Sequence, residues 1–105
     1  MKRDGNAATI IGTGEMDLSI SEDLDIKFAD AIASTKDVTI DFREALFIDS
    51  AILASLVKAG KALMNAGARL KVIVIAGTHP DYVLKTVGFA ALMDIDIVER
   101  DQSSS

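Results

Sequence analysis

Cysteine and tryptophan are absent from this chain, and histidine and proline occur once each. Without cysteine there is no disulfide framework and no thiolate metal site. A single histidine, His79, removes imidazole clusters as metal ligands and paired-imidazole chemistry as a mechanism. No run of about 18 apolar residues exists, so no segment reads as a membrane span. One proline and seven glycines in 105 residues leave little room for long loops. Positive charge is the scarcer sign: 11 Lys and Arg against 16 Asp and Glu give a formal net charge of −5. A nucleic-acid binder needs a basic face to displace phosphate counterions, so nucleic acid is not the expected partner.

Apolar residues are plentiful, at 50 % of the chain against 26 % charged. That composition can bury a core and excludes disorder for the body of the protein. We expect one domain over residues 1–105. The start, Met1 to Asn6, carries Lys2 and Arg3 but no apolar stretch behind them, so it does not read as a signal peptide. Residues 1–7 and the polar end 101–105 are expected to be flexible, and the expected compartment is the cytoplasm.

Along the chain, Ala8–Ile11 reads as a short strand, followed by a turn at Gly12-Thr13-Gly14. Ser19-Ile20-Ser21-Glu22 has the form of a capping box opening a helix that runs to about Thr35. Leu24, Phe28, Ala31 and Ile32 share one face of it, and Ile26 falls off that face. Asp37–Phe42 alternates as a half-buried strand, with Asp41 on its outer side and Glu44 in a turn, and Leu46-Phe47-Ile48 leads on to Asp49-Ser50. From Ala51 to Ala66 the spacing is helical, with Ile52, Leu53, Leu56, Val57, Gly60, Leu63 and Met64 on one arc and Gly67 as a left-handed cap. Leu70–Ala76 is nearly all apolar, as a strand covered on both faces would be. Thr78-His79-Pro80 starts another helix ending near Gly88, Phe89–Met93 is a short helical or turn segment, and Ile95–Val98 is either a last strand or the lead-in to a tail. Strands alternating with helices define an α/β fold: an open, mostly parallel sheet of about four strands with three to four helices.

In such sheets functional groups gather at the carboxyl ends of strands. Ser50 stands at one such corner. Serine is a preferred N-cap, and a hydroxyl at a helix start is also placed to carry a phosphate, since free amides and the dipole favour an anion there. A nucleophilic role is disfavoured, because His79 is the one available base and no G-x-S-x-G motif is present. Asp41, Glu44 and Asp49 form a conceivable magnesium cluster, but their placement on a strand face and in a turn fits ordinary surface acids better. Gly12-Thr13-Gly14 lacks the lysine and spacing of a phosphate loop. No cofactor, metal or catalytic residue is therefore expected. Opposite the buried arc of the helix after Ser50 lie Ala51, Ala54, Ser55, Lys58, Ala62 and Asn65. This face is small and free of acid, so a partner could approach it closely.

Phe47-Ile48-Asp49-Ser50, closing a strand and opening an apolar helix with Asn65-Ala66-Gly67 near its end, resembles the STAS domain of bacterial anti-sigma factor antagonists. Gly14-Glu15-Met16-Asp17 resembles that family's G-E-L-D segment, and Val38–Phe42 its "IVLDL" strand. Pro80 resembles its helix-opening proline and Gly88-Phe89 its "GL/GF" step. Two departures stand out: Asp49-Ser50-Ala51-Ile52-Leu53 lacks the glycine of the family's D-S-[ST]-G-L, and little chain precedes Ala8 to form the first of two opening strands.

The resemblance implies a switch protein rather than an enzyme. Its unmodified form would bind an anti-sigma factor that is also a serine kinase of the histidine-kinase-like ATPase type, and so free a sigma factor. The kinase would phosphorylate Ser50, and a serine phosphatase would reverse the mark. Partner contacts are expected at Asp17, Asp49, Ser50, Ala51, Ala54, Ser55 and Lys58. The alternative is a STAS scaffold or regulatory subunit of a transporter or stress-signalling assembly, with no serine phosphorylation.

Overall fold

The computed structural model describes residues 2–4, 6–86 and 88–100. Five strands form one sheet in chain order: β1 (Lys2–Asp4), β2 (Ala7–Met16), β3 (Asp37–Ile48), β4 (Leu70–Ile75) and β5 (Met93–Val98). β2, β3, β4 and β5 are mutually parallel, and β1 pairs antiparallel with β2 at the edge. Among the described residues four helices follow them, one after each of β2 and β3 and two after β4: α1 (Leu18–Ser34), α2 (Ser50–Asn65), α3 (His79–Leu84) and α4 (Phe89–Leu92). The strand ending at Ile48 and the strand after α2 pair in parallel, β3 against β4, in keeping with the mostly parallel sheet expected from the sequence. Among the described residues no helix is long and apolar enough to cross a membrane.

The core follows from the period of two along the strands. Ala8 and Ile10 of β2, Val38, Ile40 and Phe42 of β3, and Val72 and Val74 of β4 point to the helical side. There they meet Leu24, Phe28 and Ala31 of α1 and Ile52, Leu56, Ala59 and Leu63 of α2. The alternate positions, among them Thr39, Lys71, Ile73 and Asp94, are half-buried or exposed, apart from Asp41. β4 is thus apolar by composition but closed fully on one side only. Ile26 is exposed, as its helical position implies, whereas Met64 is also exposed, off the arc that the sequence suggested.

Several local expectations are corrected. Lys2–Asp4, placed in a flexible lead-in by the sequence, forms β1, so an opening antiparallel strand does exist, while residues 101–105 lie outside the described residues. The turn at Gly12-Thr13-Gly14 is instead the middle of β2. Gly12 is buried there because a Cβ would stand 2.9 Å from the Phe42 ring: the glycine makes room for a neighbour and does not mark a turn. Glu44 lies within β3, and the third helix stops at Leu84, short of Gly88. Gly67 is the cap expected of it. With φ of 82°, it donates to Met64 O while Ala68 donates to Leu63 O, the paired bonds that close a helix end.

Asp41, read as an outer-face acid, is buried under its neighbour's side chain. Its carboxylate accepts from Arg43 Nε at 3.0 and 3.1 Å and from Arg43 Nη2 at 2.7 Å, and from the Arg43 amide at 2.9 Å. The Arg43 guanidinium holds this carboxyl below the usual carboxylate range against the opposing effect of burial. Because folding lowers this pKa, the contribution is fully present above the unfolded value of about 3.9 and is lost as pH falls through the folded value. Half of the Arg43 side chain is in water, so the pair should contribute only about 1 kcal/mol. Urea unfolding should show wild type ahead of Asp41→Asn by that amount at about pH 6, with the gap closing below about pH 4. A gap that stays constant into acid would show that the ion pair contributes nothing to stability.

Candidate functional site

The carboxyl ends of β2, β3 and β4 lead directly into α1, α2 and α3, and the three helix starts converge on the end of β3. Aspartates cap the first two helices. Asp17 is the N-cap of α1, accepting from the Ser19 amide at 3.0 Å and from the Ser19 hydroxyl. These bonds, the hydroxyl foremost, hold the Asp17 carboxyl below the usual range. The capping box proposed for Ser19–Glu22 is therefore displaced two residues upstream. Ser19 serves as a donor to the cap, and Ser21 turns back to Leu18 O.

Asp49 is the N-cap of α2, taking the place the sequence assigned to Ser50. Its Oδ1 accepts from the amides of Ala51 at 3.0 Å and Ile52 at 3.1 Å. Its Oδ2 accepts from the Leu18 amide at 3.0 Å, the first residue of α1. Its own amide donates to Met16 O at the end of β2. One carboxylate thus fastens two helix N-termini, and one backbone bond ties the ends of two strands. From the third corner, His79 Nδ1 accepts the Ile48 amide at 3.2 Å, and its ring meets Phe47 edge-on at 5.7 Å. An accepting Nδ1 places the imidazole proton on Nε2. His79, placed by the sequence only at a helix start, is a tertiary clamp on β3.

Ser50, relieved of capping, is the first residue of α2 and is exposed. Asp17, Asp49 and Ala51 are half-buried beside it, and Ala54 and Lys58 are exposed further along α2. Ser55 is different. It is buried against α1, where a groove of about 180 Å³ runs between Phe28 and Ile32 of α1 and Ser55 and Ala59 of α2. Part of the small-residue face of α2 therefore serves the close approach of α1, and the buried Ser55 offers a partner far less surface than the sequence suggested. Asp41 and Glu44 do not join Asp49, and no group of three or more His, Asp or Glu able to hold a metal ion occurs among the described residues.

The structure is similar to solved anti-sigma factor antagonists. The unphosphorylated form of SpoIIAA superposes with a TM-score of 0.68 at 14 % identity, over 98 % of this chain and 89 % of that one. The phosphorylated form of the Bacillus cell-fate determinant SpoIIAA gives 0.69 at 16 % identity, over 98 % and 91 %. A candidate anti-sigma factor antagonist of Thermotoga maritima gives 0.67 at 14 % identity, over 91 % and 82 %. The chain has the fold of this class, the STAS fold. No family model matches its sequence, and no curated protein does.

The capping geometry has a measurable consequence. Asp49→Ala removes three amide bonds at once and should cost about 2–3 kcal/mol. Asp49→Asn, which keeps one acceptor oxygen but turns an amide toward Leu18, should cost about half of that. Ser50→Ala should be neutral within about 0.5 kcal/mol. Denaturant unfolding of the three variants would test this ordering, and a Ser50→Ala loss equal to that of Asp49→Ala would return the cap to Ser50.

Proposed function

We propose that this chain is an anti-sigma factor antagonist switched by phosphorylation of Ser50, binding rather than catalysing, and acting in the cytoplasm as a single STAS-like domain. Its unmodified form would sequester an anti-sigma factor that is also a serine kinase of the histidine-kinase-like ATPase type, and a serine phosphatase would reset it. The observation that carries this reading is the exposed Ser50 hydroxyl, left free of capping by Asp49 at the convergence of three helix starts. The likeness in fold to SpoIIAA, known in phosphorylated and unphosphorylated forms, supports it. Partner contact is assigned to Asp17, Asp49, Ser50, Ala51, Ala54 and Lys58.

The geometry also sets how the mark would act. Asp49 already takes the Ala51 and Ile52 amides, so a phosphate on Ser50 would have to compete for them and gains mainly from the helix dipole, about 0.3–1 kcal/mol. The neighbouring Asp49 carboxylate opposes it by roughly 3 kcal/mol per pair of unit charges at about 6 Å and an effective dielectric of about 20, before salt screening. The phosphate therefore stays in water and the fold survives. A bound partner, by contrast, would have to desolvate nearly two added negative charges.

Incubation with ATP and each ATP-dependent serine kinase of the source genome should add one phosphate, mapped to Ser50 by mass spectrometry. Ser50→Asp should lose part of the affinity for that kinase and Ser50→Ala should bind constitutively. Phosphate on Thr13 or Thr78 instead, or equal affinity of modified and unmodified protein, would falsify the switch. Stable binding to a transporter or scaffold without phosphorylation would favour the regulatory-subunit reading.

A further inference from the structure

The three most exposed large apolar side chains among the described residues are Tyr82 at 76 %, Leu18 at 71 % and Leu46 at 71 %. They come from three different elements, α1, β3 and α3, which hydrogen bonds join at one corner. The Leu18 amide is bonded to Asp49 Oδ2. Leu46 lies three residues before Asp49, and the β2–β3 register passes from Gly14 opposite Ala45 to Glu15 opposite Phe47, so Leu46 is the unpaired residue of a bulge. Bulges re-aim side chains, and this one leaves a leucine in water inside a strand whose neighbours Ala45 and Ile48 are buried. Tyr82 is one helical turn beyond His79, the residue clamped to Ile48. Single exposed apolar residues need no explanation, but the three extremes on elements joined at one corner do.

The charged groups around Leu18 and Leu46 are acidic, and Lys85, three residues beyond Tyr82, is engaged with the buried Asp81. Glu15 and Glu44 are exposed on either side of Leu46, one across the register and one two residues back, and Asp17 and Asp49 cap the two helices. The nearest strand cation, Arg43, is already engaged with Asp41. A second copy of the chain would bring these carboxylates against one another, which argues against self-association.

We propose that Leu18, Leu46 and Tyr82 are the apolar anchors of the partner interface, and that the partner offers an apolar socket rimmed by lysine or arginine. The inference rests on the function proposed above and specifies what the partner surface must look like. Interfaces draw most of their energy from a few such anchors surrounded by a complementary polar rim. The arrangement also sharpens the switch, because a phosphate on Ser50 would introduce charge beside side chains that bind by leaving water.

The test measures affinity for each purified ATP-dependent serine-kinase anti-sigma factor of the source genome by titration calorimetry. The proteins are wild type, Leu18→Ser, Leu46→Ser, Tyr82→Ser and the control Ile26→Ser, a position 62 % exposed but about 12 Å further along α1. For the kinase that binds wild type, Leu46→Ser and Tyr82→Ser should each weaken binding at least tenfold, Leu18→Ser at least threefold, and Ile26→Ser not at all, with unchanged melting temperatures. Wild-type affinity should fall severalfold between about 50 and about 300 mM salt. Undiminished binding by the three corner variants would overturn the anchors while leaving the proposed function standing, and salt-independent binding would overturn the basic rim. If no kinase binds wild type, the proposed function fails and this inference with it. A wild-type dimer dissociated by Leu46→Ser would instead identify a second copy as the occupant.

Discussion

The carboxylate of Asp49 accepts three backbone amides, two from its own helix and one from the start of α1. A helix start leaves its first amides without intrahelical partners, and two such starts beside one another double the problem. A carboxylate is the side chain best suited to it, having two oxygens, several acceptor directions and a charge that both helix dipoles favour. The amide of the same residue closes onto β2 through Met16 O. The order of the sheet, the seating of α1 and the direction of α2 all meet in this one residue. His79 completes the corner from α3 by taking the Ile48 amide.

That constraint explains why Ser50 is left over. Asp49 and Ser50 are both good caps, and only one residue can hold the position. The aspartate prevails because it can reach α1 as well, which a hydroxyl on the helix cannot. Sequence reasoning placed the cap one residue late, since the reward for Asp49 lies 31 residues away in the amide of Leu18. The same cause moved the start of α1. Ser19 to Glu22 fits a local pattern, yet Asp17 caps the helix and recruits Ser19 as its donor.

Where the signal is periodic and strong, the fold was legible. The helix after Ser50, the strand from Leu70 and the parallel order of β3 and β4 follow from spacing alone. What escaped depends on partners distant in sequence. Gly12 resembles a turn residue until the ring of Phe42 is set against it. Ser55 faces outward on a helical wheel until α1 is laid along α2. The bulge at Leu46 is a property of the β2–β3 register and has no signature in β3 itself. Of the candidate site, Asp49 and Ser50 were found by their place at a strand end, but Leu18, Leu46, Tyr82 and His79 were not, because exposure and tertiary hydrogen bonds are decided by neighbours.

A corner held this firmly is a poor lever and a good platform. Swinging α1 or α2 away would strand amides that Asp49 now satisfies, each at a cost of about 1–3 kcal/mol, and would open the joint between β2 and β3. A modification at the first residue of α2 adds charge without removing any of those bonds, so it has no means of driving such a motion. Whatever signal it carries must be read at the surface, by the change in what the corner offers to water and to a partner. Under the proposed function, the rigid frame fixes the place of the mark, and the partner's own surface supplies the response.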